Sequence, residues 1–305
     1  MDGMERVKEA VTQYHHGLQN SEYFRSLFHN LVGFETIIRA FKGCQPMTAN
    51  LNKRGLNPRG EVPFSFIFEG LPGSGKTMTA RALGKIYYFM GLLPTTEVMD
   101  CSVTDMIGTH TGQTGPKVRN LLEEALGKVL FTDEAYRLGF TTYDYPREAV
   151  GELVNCMTKE RYMHKFVIVL AGYKRSMDQL ISTNGGLRSR FTEMAFPRLR
   201  PKDCLRLLQA KLLEKKINIL RPKTVHVQQR VLVLFKKLGK TTAWANARDV
   251  GAIAKEVTLQ LFMNPLPAGQ PMEISLEEIA RVLNRFYRNR RTKEEEEEAG
   301  HSSES

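Results

Sequence analysis

The sequence has few cysteines and no long apolar run, and both absences exclude whole classes of protein. Its four cysteines are widely separated and form no C-x-x-C pair, which argues against a disulfide framework or a cysteine-based metal site. We expect reduced, mostly buried cysteine side chains. No stretch reaches the ~20 apolar residues that a membrane-spanning helix needs. The first residues include acids and no apolar signal core, so a cytoplasmic or nuclear protein without membrane contact is expected.

Positive charge is in excess over the whole chain. The 305 residues carry a formal net charge of +11, and 42% of them are hydrophobic, enough for two domains with a substantial core. A basic balance suits an acidic partner such as nucleic acid, but the sequence has no basic motif interleaved with aromatic residues. A solvated basic surface around a nucleotide-binding core is therefore favoured, and a nucleic-acid partner stays open.

A complete G-x-x-x-x-G-K-T phosphate loop runs from Gly70 to Thr77, directly after the apolar run 64–68. Its glycines let backbone N–H groups turn toward phosphate oxygens. Lys76 would place a positive charge beside the β- and γ-phosphates, and the Thr77 hydroxyl would bind Mg²⁺. A helix beginning at Lys76 would direct its positive end at the same phosphates. The predicted nucleotide contacts in this segment are Pro72, Gly73, Ser74, Gly75, Lys76, Thr77 and Met78.

A second apolar run, 129–132, ends in Asp133 and Glu134. An acid at the carboxyl end of a parallel strand lies at the edge of the sheet where ligands bind. Asp133 would hold Mg²⁺, usually through water, and Glu134 would orient and deprotonate the attacking water. Acids commonly end strands, but this pair follows the phosphate loop after one further strand and helix. The combination predicts binding and hydrolysis of a nucleoside triphosphate.

Strand and helix patterns alternate from residue 64 to residue 196, which predicts an α/β fold with a mostly parallel sheet covered on both faces. After residue 201 the strand signal disappears, and four helical patterns predict a small all-α lid domain. The predicted strands are 64–69, 97–101, 128–132, 166–171 and 192–196, and the predicted helices of the sheet domain lie near 76–90, 116–126, 147–160 and 176–182.

Four segments are predicted along the chain. Residues 1–60 would form N-terminal helices, near 5–28 and 31–41, and most of a polar linker that extends from residue 43 to residue 63. The nucleotide-binding domain would occupy 61–200 and the lid 201–292. An acidic run without apolar residues predicts a disordered tail over 293–305.

The two motifs resemble those of AAA+ ATPases, and further residues resemble the CbxX/CfqX branch, which includes Rubisco activases and the stage V sporulation K protein. That branch typically continues its second motif as Asp-Glu-Ala-Tyr, as residues 133–136 do here. Gly112-Gln113-Thr114 with Lys117, and the segment 170–173, are also similar to it. The resemblance covers roughly residues 31–290, and the stretch 87–138 looks closest to fungal multi-domain members.

The resemblance implies ATP and Mg²⁺ as cofactors and assigns further roles. Leu31, Val32 and Gly33 would line the adenine pocket. Arg190 matches the Ser-Arg-Phe position of the arginine finger, which acts on the neighbouring subunit's nucleotide and so implies a ring, a hexamer in this family. Arg248 matches the sensor-2 helix and would reach the γ-phosphate. Without the motif context, ordinary surface ion pairing would be the favoured explanation of both arginines.

The chain departs from the family at three places, the first of which is Gly185, where the family has the proline of Asn-Pro-Gly-Leu. The sensor-1 position falls around residues 172–173, where no residue is assigned to that role. The loop that grips polypeptide in relatives reads His110-Thr111 here, where they carry an aromatic and an aliphatic residue. Such polar side chains offer little apolar contact, so threading is in doubt unless Met106 and Ile107 line the pore instead.

The favoured prediction is an ATP-hydrolysing ring that remodels an unidentified protein partner. Two alternatives stay open. One is a nucleic-acid-stimulated motor or clamp-loader-like ATPase, suggested by the net charge and by the arginines between residues 281 and 291. The other is a regulatory module of a larger protein that does not thread polypeptide.

Overall fold

A computed structural model describes residues 35–139, 145–220, 225–263 and 271–302. The predicted helix 5–28 and the predicted adenine contacts Leu31, Val32 and Gly33 lie outside the described residues. The chain divides into two compact units: one contains the described residues before Pro72 and Gly75–Phe196, and the other contains Pro72–Ser74 and the residues from Pro197 onward. Within the described ranges, no helix combines the length and apolar character needed to cross a membrane.

The first unit is built on a five-stranded sheet in which every neighbouring pair is parallel. The strand order is β2-β3-β4-β1-β5. The strands are β1 (Ser65–Gly70), β2 (Val98–Cys101), β3 (Val129–Thr132), β4 (Val167–Gly172) and β5 (Thr192–Phe196). The predicted α/β class is confirmed, and each strand begins within one residue of its predicted position.

Helices cover both faces of this sheet. They are α1 (Glu35–Lys53), α2 (Lys76–Phe89), α3 (Val103–Met106), α4 (Thr114–Glu124), α5 (Tyr145–Cys156), α6 (Lys174–Thr183) and α7 (Gly185–Arg190), with short 3-10 helices at Pro58–Gly60 and Ala135–Leu138. Side chains alternate along β1, so Phe66 and Phe68 pack in the core formed with α2, while Ile67 packs in the core on the other face. Burial of both faces explains the continuous apolar runs.

The strand register gives the sheet two chemically different edges. Glu69 pairs with Gly172, and Thr132 pairs with Leu170, so β1, β3 and β4 end together at what we call the carboxyl edge. The phosphate loop, the turn after β3 and the start of α6 therefore meet there. At the opposite amino edge, β5 begins with Thr192 beside Phe66.

The second unit contains the four predicted helices and a short parallel pair of strands. Its elements are α8 (Pro201–Leu213), β6 (Ile217–Ile219), α9 (Val225–Leu238), α10 (Ala247–Met263), β7 (Met272–Ile274) and α11 (Leu276–Ser302). The helices bury an apolar core of their own that includes Phe235 and Trp244. The two strands were not predicted, because three residues are too few to show a period of two.

The predicted linker 43–63 is wrong in its first half. Helix α1 continues to Lys53 and contains Pro46. Phe41 is buried in the core beside α2, and the half-buried Cys44 and Met47 pack against that core. Tertiary packing of this apolar stripe overrides the local helix-breaking signal of proline.

The predicted disordered tail is also wrong as far as residue 302. Helix α11 continues to Ser302, through the run of glutamates. The carboxylate of Glu294 accepts hydrogen bonds from the Thr242 N–H at 2.7 Å and from the Thr242 hydroxyl at 2.6 Å. Because glutamate and lysine are good helix formers, the run extends a helix that a tertiary contact already anchors.

Candidate functional site

The phosphate loop between β1 and α2 turns at two glycines in the left-handed region. Gly73 has a φ of 65° and Gly75 a φ of 93°, values that residues with a Cβ rarely adopt. A Cβ at Gly73 would lie 2.0 Å from the carbonyl oxygen of Ala245. Helix α2 begins at Lys76, so its first N–H groups point toward the loop. The loop thus has the backbone form of an anion-binding cradle.

Lys76 and Ser74 bring buried polar atoms into this cradle. Lys76 is only 8% exposed, and its Nζ donates hydrogen bonds to the carbonyl oxygens of Gly70 at 2.9 Å and Leu71 at 3.2 Å. The Ser74 hydroxyl is buried and has no hydrogen-bond partner among the described residues. A buried cation and an unsatisfied hydroxyl in one loop fit a ligand rich in oxygen atoms, such as a triphosphate.

The turn after β3 presents Asp133 and Glu134, which are both exposed. Glu134 has φ 53° and ψ 32°, a left-handed conformation that is strained for a residue with a side chain. Asp133 Oδ1 supports the turn by accepting the Glu134 N–H at 3.0 Å. Arg137 Nη1 lies 3.5 Å from Glu134 Oε2. Backbone strain of this kind concentrates at functional sites, and here it falls on the residue predicted to be the base.

The oxygen donors at the carboxyl edge also fit a magnesium ion. Thr77 supplies a half-buried hydroxyl in the first turn of α2, and Asp133 supplies a carboxylate in the turn after β3. Mg²⁺ prefers such hard oxygen ligands and usually takes one or two carboxylates together with substrate phosphates. These two residues therefore suit the ion that a bound triphosphate would bring.

Arg190 lies at the other edge of the sheet. It is the last residue of α7, and its Nη1 is 3.2 Å from both the Gly186 carbonyl oxygen and the Ser189 hydroxyl oxygen. It lines a cleft with Phe64 and Phe166, which lie just before β1 and β4. The five-residue strand β5 spans about 13 Å at ~3.3 Å per residue. The structure therefore brings Lys76 and Glu134 together at the carboxyl edge and places Arg190 at the amino edge.

In the helical unit, Arg248 is exposed in the first turn of α10. No role was predicted for Asn246, which is fully buried with a φ of 50°. Its Nδ2 donates to the Pro72 carbonyl oxygen at 3.1 Å, and its Oδ1 accepts the Leu199 N–H at 3.2 Å. Because Pro72–Ser74 belong to this unit, Asn246 fixes the first turn of the phosphate loop. An asparagine directly before a helix was the available signal, since asparagine tolerates this conformation.

One of the two residues predicted to line a pore after β2 is buried instead. Met106 is 0% exposed and belongs to the core beneath α3, so the hypothesis that it lines a pore is wrong. Ile107 is half-buried and packs against the same core. His110 and Thr111 are exposed, and the Thr111 hydroxyl lies 3.2 Å from the Tyr145 hydroxyl.

An ion pair between a buried acid and an exposed lysine at the carboxyl edge was not predicted from the sequence. Glu69 is 4% exposed, and its Oε2 accepts a hydrogen bond from Lys174 Nζ at 2.9 Å. The same ammonium lies 3.2 Å from Asp178 Oδ1. Burial raises the pKa of the Glu69 carboxyl, while hydrogen bonds to Glu69 and Asp178 raise the pKa of Lys174. The sequence offered one sign of this pair: an acidic residue at the end of an apolar strand, directly before Gly70.

Comparisons with known proteins agree with this geometry. A model of the ATPase family associated with various cellular activities (AAA) matches residues 66–199. The chain is 36% identical over 194 residues to Stage V sporulation protein K of Bacillus subtilis. The aligned segment covers 60% of this chain and 59% of that protein. It is 31% identical over 238 residues to the chloroplastic ribulose bisphosphate carboxylase/oxygenase activase of Cyanidioschyzon merolae, covering 76% of this chain and 79% of that protein.

A third relative, the protein CfxQ homolog of Cyanidium caldarium, is 33% identical over 186 residues, which is 60% of this chain and 63% of the relative. The chain thus spans less than two thirds of this protein and of the sporulation protein. The matched AAA segment contains the phosphate loop and the turn after β3. The chain therefore belongs to the AAA ATPase family, in its CbxX/CfqX branch, and its sheet unit is an ATP-hydrolysing domain.

Proposed function

We propose that this chain assembles into a ring, a hexamer by family likeness, whose subunits hydrolyse ATP and remodel a protein partner in the cytoplasm or nucleus. The observation that carries the proposal is the position of Arg190 at the amino edge, while the phosphate loop lies at the carboxyl edge of the same sheet. An arginine there suits the nucleotide of a second copy better than its own.

Within this proposal, the residues of the phosphate loop and of the turn after β3 have different roles in ATP hydrolysis. Residues 72–78 bind the triphosphate of ATP, and Lys76 neutralises its charge. Thr77 and Asp133 hold Mg²⁺, which neutralises further phosphate charge when bound. Glu134 orients and deprotonates the attacking water. Because its left-handed backbone is held by the preceding carboxylate, the Glu134 side chain is supported before substrate arrives.

The proposal assigns two further contacts by family likeness. Leu31, Val32 and Gly33 would line the adenine pocket, and Arg248 would reach the γ-phosphate. The exposure of Arg248 in the first turn of α10 supports a role toward a ligand rather than in the core of the helical unit. Its neighbour Asp249, by contrast, is buried and paired with Arg290 at 2.6 Å.

A protein partner fits the observations better than nucleic acid. The name of one relative says that it activates ribulose bisphosphate carboxylase/oxygenase, which is a protein. The arginines of α11 that suggested nucleic acid are largely compensated by carboxylates: Arg285 pairs with Glu256, Arg290 with Asp249 at 2.6 Å, and Arg291 with Glu295 at 2.5 Å. Paired guanidinium groups have less charge available for a phosphate backbone.

A regulatory module that does not thread polypeptide is the second candidate. It is favoured by the loop after β2, where His110 and Thr111 are exposed and Met106 is buried. Histidine and threonine bury less apolar area against a translocating chain than an aromatic and an aliphatic residue would, so their grip would be weaker. Partner remodelling that survives the double substitution of His110 and Thr111 by alanine would favour this candidate.

The test of the ring is a mixing experiment between Arg190→Ala and Glu134→Gln. Arg190→Ala should keep ATP affinity and lower kcat by about 10³-fold, the scale for removing an arginine finger. A mixture should regain part of the activity, because some sites then combine an intact Glu134 with an intact Arg190 from a neighbour. Arg188→Ala, two residues earlier in α7 and also exposed, is the matched control. A fully active monomer, or a mixture without recovery, would contradict the proposal.

A further inference from the structure

The residue before the phosphate loop carries a buried negative charge, which is an unusual neighbour for a site that binds phosphates. Glu69 is 4% exposed, and its Oε1 has no hydrogen-bond partner among the described residues. The carbonyl oxygen of the next residue, Gly70, accepts a hydrogen bond from Lys76 Nζ at 2.9 Å. Bond geometry therefore keeps the Glu69 carboxyl within roughly 13 Å of that ammonium.

The counter-charge to Glu69 comes from the adjacent strand-to-helix junction. Lys174 begins α6, with Tyr173 between it and the end of β4, and its Nζ lies 2.9 Å from Glu69 Oε2 and 3.2 Å from Asp178 Oδ1. A cation at the start of a helix opposes the helix dipole, so the two carboxylates must stabilise it there. The arrangement places a positive charge at the carboxyl edge and uses it to neutralise Glu69.

We propose that the Lys174–Glu69 pair sets the charge that the phosphate loop presents to nucleotide. Lys174 is a positioning residue in this proposal: it acts through Glu69 by keeping the carboxylate neutralised. Without Lys174, the site would bind ATP well only when Glu69 is protonated. The pair thereby makes nucleotide affinity independent of pH over the physiological range.

The surroundings of Glu69 give the sign of the expected pH effect. Helix α6 contributes Lys174 and Asp178, and strand β5 contributes Glu193. Burial already raises the pKa of Glu69, and the carboxylates of Asp178 and Glu193 raise it further, whereas Lys174 lowers it. Removal of Lys174 must therefore raise this pKa. Glu69 is then neutral at low pH and becomes ionised as the pH rises, which repels phosphates.

The experiment measures the binding of ADP and of a non-hydrolysable ATP analogue by titration calorimetry between about pH 6 and pH 9, a range that covers buried glutamates. The variants are Lys174→Met, the double variant Glu69→Gln/Lys174→Met, and Lys174→Arg. Arg175→Met removes a positive charge from the neighbouring position and is the matched control. Thermal unfolding at each pH confirms that every variant is folded. The double variant replaces both charged side chains with neutral groups, so the buried Glu69 carboxylate is not left unpaired if the single variant fails to fold.

Lys174→Met should bind nucleotide about tenfold more weakly at the high end of this range, as expected for unit charges ~10 Å apart near a protein surface, and should approach the double variant at the low end. The double variant and Lys174→Arg should follow the pH profile of the unmodified protein. The proposal is overturned if Lys174→Met matches the unmodified protein at every pH, or if the double variant keeps the pH-dependent loss of Lys174→Met.

Discussion

The two edges of the sheet are formed by the same strands but hold their polar groups in opposite ways. At the carboxyl edge, Lys76, Ser74 and Glu69 are buried, and Glu134 has a strained backbone. At the amino edge, Arg190 is exposed and bonds to atoms of its own helix, beside a cleft lined by apolar side chains such as Phe64.

This difference separates two kinds of function. Buried polar groups and left-handed residues each cost free energy in the folded state, about 1–2 kcal/mol for the backbone term alone. They persist at the carboxyl edge because strand ends, the start of a helix and neighbouring charges hold them in place. The exposed arginine of the amino edge needs no such support, which suits a group that meets its target on another molecule. In the proposed ring, the first edge would be preorganised and the second would be completed by the neighbouring subunit.

Among variants of the carboxyl edge, the largest effect is expected on ATP binding when Lys76 is removed from the phosphate loop. Lys76→Ala should weaken ATP binding by at least ~100-fold, because the phosphates lose a charged hydrogen-bond donor that the loop already holds in place. Equilibrium binding of a fluorescent ATP analogue measures this loss. The matched control is Lys85→Ala, which removes an exposed lysine from the same helix and should bind normally. Near-normal binding by Lys76→Ala would remove the basis for contrasting the two edges.

Most of this edge could be predicted from the sequence, because its parts are contiguous. The strand before Gly70 and the strand before Asp133 are apolar runs buried on both faces, and the loop is defined by its glycines. The short strands β6 and β7 could not be found, since three residues give no period. Helix α1 was cut short in the prediction because Pro46 outweighed an apolar stripe whose packing partner was unknown.

The contacts that escaped prediction join distant parts of the chain. Glu69 and Lys174 are 105 residues apart, and they meet because β1 and β4 are neighbours in the sheet. Pro72 and Asn246 are 174 residues apart. No local pattern indicates which strands are adjacent, so ion pairs and amide bonds of this kind become visible only with the strand order. The burial of Met106 was missed because α3 is a single turn, too short for a helical pattern.

A smaller expected effect separates binding from hydrolysis within the carboxyl edge. Glu134→Gln should bind ATP with unchanged affinity and hydrolyse it ~10²-fold more slowly, the typical loss when a positioned base is removed. The amide has nearly the same shape as the carboxylate and cannot accept the proton from water. Steady-state phosphate release and nucleotide titration measure the two quantities. Glu124→Gln, an exposed acid at the end of α4, is the control. A parental rate for Glu134→Gln would show that another group is the base.

The smallest expected effect tests whether the strain at Glu134 is kept for function. Glu134→Gly relieves the left-handed backbone, which costs a residue with a Cβ ~1 kcal/mol or more, but it also adds freedom to the unfolded chain. The free energy of unfolding should therefore stay the same or rise by up to about 1 kcal/mol, while hydrolysis is lost. Lys216→Gly, at a second exposed left-handed position with a φ of 61°, should show the same stability and keep its activity. Lys85→Gly, inside α2, should instead lose about 1 kcal/mol. Urea unfolding of the three variants makes the comparison, and a loss at Glu134→Gly equal to that at Lys85→Gly would mean that the turn after β3 stores no strain.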